Sequence, residues 1–145
     1  MLSVSAQALV LGGTLSAAAA AAHLACIALG ASAYRFVGAG ERMAPAVEAG
    51  GIRPTLITLA IATMLFVWAL YAFAGAGVIG QLPVTNLALP AISLTYLGRA
   101  LGFPFLRPMF PENSTTFWLV SSGICLMLGL LYAVGAIAAW PSGEA

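Results

Sequence analysis

The sequence contains very few charged residues. Among its 145 residues there is no Lys and no Asp, and the formal charges are five Arg and four Glu. Soluble domains carry roughly 25% charged residues, so an ordinary soluble enzyme is excluded. A nucleic-acid binder would need a basic stripe, and a disordered chain would need far more polar residues, so these classes are excluded as well. What is present is 62% hydrophobic residues, which indicates an integral membrane protein.

The hydrophobic residues form four stretches that carry a charge only near their ends, each long enough for a helix of about 20 residues to cross a bilayer. The first stretch is too long, and too poor in basic residues before it, for a signal peptide. The sequence therefore predicts one all-α membrane domain, a bundle of four transmembrane helices. The predicted spans are 7–35, 54–76, 83–101 and 114–140, with interfacial segments at 40–50 and 102–112. For 40–50 we favour a polar loop, because Pro45 would interrupt a helix, and a short interfacial helix is the alternative.

The arginines are confined to two of the three links between the predicted spans. Arg35, Arg42 and Arg53 lie at the first link, and Arg99 and Arg107 lie at the third. The positive-inside rule then predicts that both links are cytoplasmic and that both termini lie on the opposite side. Trp118 and Trp140 lie near the two ends of the fourth span, as interfacial aromatic residues do.

Small and polar residues recur every three or four positions in two of the predicted spans. This period of 3.5 predicts helix faces that pack closely in a left-handed bundle, although chance spacing in an Ala- and Gly-rich chain is the alternative. The first set is Gly12, Ser16, Ala19, His23, Cys26, Gly30 and Ala33, and the second is Ser122, Cys125, Gly129, Tyr132 and Ala136.

His23 is the only histidine and lies near the middle of the first span. An ionisable residue inside a membrane is a functional hypothesis by default. The alternative, which we favour, is a neutral imidazole that is hydrogen-bonded to another helix. The candidate partners at similar depth are Thr58, Ser93, Ser121 and Ser122.

Two ligand hypotheses involve His23. Cys26 and Cys125 lie at comparable depth, so His23 and the two thiols form a candidate metal site. Met127 or Met64 forms a candidate axial pair with His23 for haem. We expect neither a haem nor a metal cofactor, because Cys and Met are also common buried apolar residues.

Arg99 lies close to the cytoplasmic edge of the third span. Snorkelling to the interface is the simplest interpretation, and pairing with Glu41, Glu48 or Glu112, or binding a lipid phosphate, are the alternatives. If the protein has a pocket on the cytoplasmic side, we expect four side chains to line it: His23, Tyr34, Trp68 and Arg99.

Segments 36–44, 68–77, 82–83 and 96–99 resemble small bacterial inner-membrane proteins, which implies that location but no particular activity. Size, span count and outward termini are also similar to the membrane-associated glutathione-transferase family. Its glutathione motif is rich in Arg, Asn and Glu. This sequence has Glu41-Arg42 without the accompanying Asn and Arg residues, so no functional residue is transferred.

No set of residues in the sequence forms a recognisable catalytic motif. We therefore expect a non-enzymatic accessory, lipid-interacting or complex-associated protein. Its expected partners are the lipid bilayer and other membrane subunits or copies of itself, and not nucleic acid. A membrane enzyme or small-solute carrier is the alternative.

Overall fold

A computed structural model describes residues 1–38 and 42–140, and these residues form helices and no strand. The predicted all-α class is therefore confirmed. The helices are α1 (Val4–Leu29), α2 (Ala31–Phe36), α3 (Met43–Glu48), α4 (Arg53–Gly75), α5 (Thr85–Leu101), α6 (Phe103–Leu106) and α7 (Thr115–Ala139), with a 3-10 turn at Arg107–Met109.

Three of these helices are long and apolar enough to cross a membrane. They are α1, α4 and α7, with 26, 23 and 25 residues. The predicted third span corresponds to α5, which has 17 residues. The protein thus has the helices of a membrane protein, and the count of four spans stays a prediction.

Local sequence signals account for where the long helices begin and end. Ser3 and Ser114 cap α1 and α7, because their hydroxyl oxygens accept hydrogen bonds from the backbone N–H groups of Ala6 and Phe117. Gly30 has a φ of 74° and ends α1, so the predicted stretch 7–35 is divided into α1 and α2.

The four long helices pack against one another. α1 packs along α4, α5 packs along α7, and contacts of α1 with α7 and of α4 with α5 close the ring. At one end, which we call the terminal end, Leu9 of α1 lies against Gly75 and Gly135. The start of α1, the end of α7 and the 76–84 link are therefore at the terminal end.

The opposite end carries the two arginine-bearing links, and we call it the arginine end. The Arg42 Nε atom lies 2.6 Å from Glu112 Oε1, so the two links are in direct contact. Segment 102–112 forms α6 and the 3-10 turn there, and Arg107 donates to the Thr115 hydroxyl at the start of α7.

Most of segment 40–50 is helical rather than a loop, although Gly40 and Glu41 lie outside the described residues. Pro45 lies in the first turn of α3, where its missing N–H would have no helical partner. Arg35 of α2 donates to Glu48 of α3 at 2.6 Å. This hydrogen bond is the main reason that the pKa of Glu48 is lowered; desolvation opposes it and the charge of Arg35 adds to it.

Candidate functional site

A chain of hydrogen bonds joins all four long helices at the centre of the bundle. Ser16 Oγ of α1 lies 2.8 Å from the Tyr96 hydroxyl of α5 and 3.1 Å from the Tyr132 hydroxyl of α7. The Tyr132 hydroxyl also donates to the backbone carbonyl of Trp68 in α4, at 3.0 Å. We call Ser16, Tyr96, Tyr132 and the Trp68 carbonyl the central chain.

The direction of every hydrogen bond in the central chain follows from its last member. A carbonyl oxygen can only accept, so the Tyr132 hydrogen points to Trp68. Ser16 must then donate to the Tyr132 oxygen, and Tyr96 must donate to Ser16. Each hydroxyl hydrogen has one acceptor, so the central chain is complete without a ligand.

Aromatic packing encloses the central chain. The Tyr96 ring lies edge-on to Trp68, with 4.8 Å between centroids, and 5.6 Å from the Tyr132 ring. A Cβ atom on Gly12 would lie 3.1 Å from the Tyr132 ring, so glycine lets α1 approach α7 closely. Tyr132 is fully buried as a result.

A second polar group lies nearer the arginine end, between α5 and α7. The Arg99 guanidinium donates to the Ser121 hydroxyl at 3.0 Å and to the Ser122 hydroxyl at 3.5 Å. Its Cζ atom also lies 4.8 Å from the centroid of the Trp118 ring, within cation–π range. We call Arg99, Trp118, Ser121 and Ser122 the arginine cluster.

The arginine cluster has more hydrogen-bond donors than acceptors. Trp118 is 3% exposed, and its Nε1–H has no partner among the described residues. Guanidinium has five N–H groups, and only two of those on Arg99 donate within the described chain. No described carboxylate forms an ion pair with Arg99, since Glu48 pairs with Arg35 and Glu112 pairs with Arg42.

His23 is hydrogen-bonded to its own helix instead of to another one. Its Nδ1 atom lies 2.7 Å from the Ala19 carbonyl oxygen, and the side chain is partly buried. The expected partner Thr58 is bonded to Tyr34, Ser93 donates to the Gly129 carbonyl, and Ser121 and Ser122 accept from Arg99. These hydroxyls are therefore engaged elsewhere.

The candidate metal and haem residues are separately placed. Cys26 and Cys125 are half-buried free thiols, and Met127 is exposed on the outer face of α7. Within residues 1–38 and 42–140, no three His, Cys, Asp or Glu side chains come together in a way that could hold a metal ion.

The residues predicted to line a pocket have different partners. Tyr34 is buried and its hydroxyl lies 2.8 Å from the Thr58 hydroxyl, Trp68 packs on Tyr96, and Arg99 lies over Trp118. His23 bonds to Ala19, as described above. The structure therefore distributes these four side chains over separate contacts.

The predicted packing face of α1 divides at its middle. Gly12 and Ser16 are buried and Ala19 packs against the core, whereas no α1 residue after Ala20 is buried. Cys26 and Gly30 are partly exposed, and a Cβ on Gly30 would have no neighbour within 4 Å. In α7, a Cβ on Gly129 would lie 2.7 Å from the Leu97 side chain.

Sequence reasoning missed two members of these polar groups. The sequence does not identify Tyr96 as a residue that forms hydrogen bonds between helices, although its hydroxyl lies at the depth of Ser16 and Tyr132. The sequence places Trp118 at the membrane interface. It does not show that the indole N–H is buried without a partner, or that Arg99 of α5 lies on the indole ring.

Comparisons with protein-family models, with curated proteins and with solved structures find no match to this chain. Its class therefore rests on its own features. An apolar composition and three helices able to cross a membrane are those of a helical membrane protein.

Proposed function

We propose that this chain is a four-span protein of the bacterial inner membrane, with both termini outside the cytoplasm. In this proposal it is a non-enzymatic accessory protein. It acts through the surfaces that it presents to lipids and to neighbouring membrane proteins, and not through an internal reaction site.

The length and packing of α5 support its role as a membrane span, which brings the proposed count to four. Its 17 residues extend about 26 Å, and α6 begins after a single glycine, Gly102. The hydrocarbon core is about 30 Å thick, so a slightly short helix fits when its flanking residues snorkel. α5 also packs along α7, which is long enough to span.

The distribution of arginines supports the orientation. All five lie in or beside the links at the arginine end, and the Arg42–Glu112 ion pair holds those two links together. The positive-inside rule then favours a cytoplasmic location for the arginine end.

The observation that carries the non-enzymatic proposal is the buried centre, whose polar groups are hydrogen-bonded to one another. Tyr132, Leu9, Leu89, Leu128 and Ser16 are fully buried, and the central chain satisfies its own hydroxyl groups. Two open apolar grooves, of about 360 and 270 Å³, lie on the outside of the bundle instead. Their lining residues are Gly123, Leu126, Met127, Leu130, Leu131 and Val134 for the larger, and Pro90, Ala136, Ile137 and Trp140 for the smaller.

Native mass spectrometry of the full chain, purified in a mild detergent, tests this function. We expect the bare chain, the chain with phospholipid, or a complex with membrane proteins, and an unchanged lipid pattern in His23→Ala. Stoichiometric retention of a non-lipid solute would contradict the proposal, as would a Soret band that His23→Ala abolishes.

Reporter fusions test the orientation separately. A reporter after the last helix should be periplasmic, and one inserted within 42–52 should be cytoplasmic. A cytoplasmic reporter at the end of the chain would contradict the arginine argument. Moving arginines from the first link into the 76–84 link should weaken or invert the preference.

A further inference from the structure

The arginine cluster brings several hydrogen-bond donors together, and no carboxylate among the described residues accepts from them. We propose that Arg99, Trp118, Ser121 and Ser122 form a binding site for a phosphate group. The phosphate belongs to the headgroup of an anionic phospholipid or to a free phosphate ion, and the experiment below separates these sources. The inference deepens the proposed function and rests on its placement of the arginine end at a membrane surface.

The charge of Arg99 is the first reason to expect an anion. In the described chain, Glu48 and Glu112 form ion pairs with other arginines. Within the described residues, Arg99 donates to neutral hydroxyls and lies over an aromatic ring, and it is half-buried. A guanidinium offers paired N–H groups that match two oxygens of one phosphate, so a phosphate would use the N–H groups that remain.

The serine hydroxyls of the arginine cluster are the second reason. Hydroxyls inside a helix commonly donate to the carbonyl four residues earlier, as Thr14, Thr63 and Thr95 do here. Ser121 and Ser122 accept from Arg99 but have no acceptor of their own among the described residues. Their hydrogens are therefore free to bind an anion that Arg99 attracts.

The indole of Trp118 is the third and independent reason. A buried N–H without a partner is rare in folded proteins, because it loses its hydrogen bond to water and gains nothing. This donor belongs to the ring on which Arg99 lies. An anion that contacts both the guanidinium and the edge of the indole would give this N–H an acceptor.

The position of the arginine cluster suits a lipid headgroup. Arg99 lies in the last turn of α5, and Trp118 is the fourth residue of α7. In the proposed orientation both helix ends are at the cytoplasmic leaflet, which is rich in anionic lipids. A headgroup phosphate could then reach the cluster from the side of the bundle.

The test uses the full chain in detergent and three added probes. They are phosphatidylglycerol, diacylglycerol with the same acyl chains, and inorganic phosphate. We expect phosphatidylglycerol to raise the melting temperature saturably and to appear as one bound lipid by native mass spectrometry. Diacylglycerol, which lacks the phosphate, should give neither effect.

Four variants locate the effect. Arg99→Gln should weaken phosphatidylglycerol binding by about tenfold or more, as expected for the loss of a charge-assisted hydrogen bond. Trp118→Phe and Ser121→Ala, which each remove one donor, should weaken it by a smaller factor. The matched control is Arg107→Gln, which removes an exposed arginine at the same end and should leave the affinity within about twofold.

Other outcomes overturn the proposal or change the source of the phosphate. Equal weakening by Arg107→Gln and Arg99→Gln would show that binding follows total charge, and an equal effect of diacylglycerol would show that the acyl chains suffice. If inorganic phosphate binds with the same variant pattern and the lipid does not, the site stands and the lipid source is rejected. Trp118→Phe and Ser121→Ala decide the matter if Arg99→Gln fails to fold. The reporter fusions test orientation independently of all these results.

Discussion

The centre of the bundle and the arginine cluster both gather polar groups between helices, but they match donors to acceptors differently. In the central chain, each hydroxyl hydrogen has an acceptor, and the last acceptor is the Trp68 carbonyl. In the arginine cluster, the Trp118 N–H and the two serine hydrogens have none among the described residues.

This difference separates a structural role from a binding role. A polar group that is complete within the protein stabilises the helix arrangement and requires no ligand. An excess of donors around a cation costs stability until an acceptor arrives. The balance of donors and acceptors therefore says more about function here than burial does, since Trp118 and Tyr132 are both buried.

The largest expected effect comes from filling the space at Gly129, where the absence of a side chain lets α5 and α7 approach each other closely. Gly129→Leu should destabilise the bundle by about 1–3 kcal/mol or more, because its Cβ alone would lie 2.7 Å from Leu97. The control in the same helix is Gly123→Leu, at a position with nothing within 4 Å. Equal thermal stability of the two variants in detergent would show that this close approach is absent.

The next effect tests whether the central chain is structural. Tyr132→Phe removes the donor to Trp68 and the acceptor of Ser16, and should cost about 0.6–2 kcal/mol. Thr95→Ala is the control, because the exposed Thr95 hydroxyl bonds only to its own helix. Chemical or thermal unfolding in detergent measures both, and no difference between them would remove the central chain as a stabilising element.

A smaller effect of opposite sign is expected at Trp118. Without anionic lipid, Trp118→Phe should be as stable as the wild type, or more stable by up to about 1 kcal/mol, because it removes an unpaired buried donor. The unfolding midpoint in lipid-free detergent measures this. Clear destabilisation would show that the indole N–H already has a partner in the protein.

The smallest effect concerns the contact between α2 and α3. The pKa of Glu48 is lowered by Arg35, so this contact stabilises the protein above the ordinary carboxyl value of 4.5 and is lost as pH falls below it. Both side chains are about half exposed, which keeps the contribution small. Wild type should lose slightly more stability than Glu48→Gln between pH 6 and about pH 3.5, and identical pH profiles would contradict the assignment.

The sequence predicted the helical class, and two of the four predicted spans end close to the ends of a helix. Span boundaries at 54–76 and 114–140 fall within a residue of α4 and α7, because proline, serine caps and charges mark these ends. The sequence does not favour the helix at Met43–Glu48, because proline usually breaks helices, but Pro45 lies in the first turn, where proline is tolerated.

The polar contacts were much harder to predict than the helices. Spacing along one helix identifies a face, but it does not show which residue of a neighbouring helix lies opposite. Depth alone therefore pairs His23 with hydroxyls that bond to other groups, whereas its imidazole bonds to the Ala19 carbonyl of its own helix. Ser16 was placed on a packing face, but its two tyrosine partners are 80 and 116 residues away in sequence.

The most direct test of the contrast between the two regions measures one quantity in three proteins. The melting temperature in detergent is recorded with and without phosphatidylglycerol for wild type, Tyr132→Phe and Arg99→Gln. We predict that Tyr132→Phe melts lower but keeps the full lipid-dependent rise, because it alters only the central chain. Arg99→Gln should lose that rise. A lipid-dependent rise in melting temperature that persists in Arg99→Gln, or disappears in Tyr132→Phe, would contradict this account. The account requires that the central chain is structural and that the arginine cluster binds phosphate.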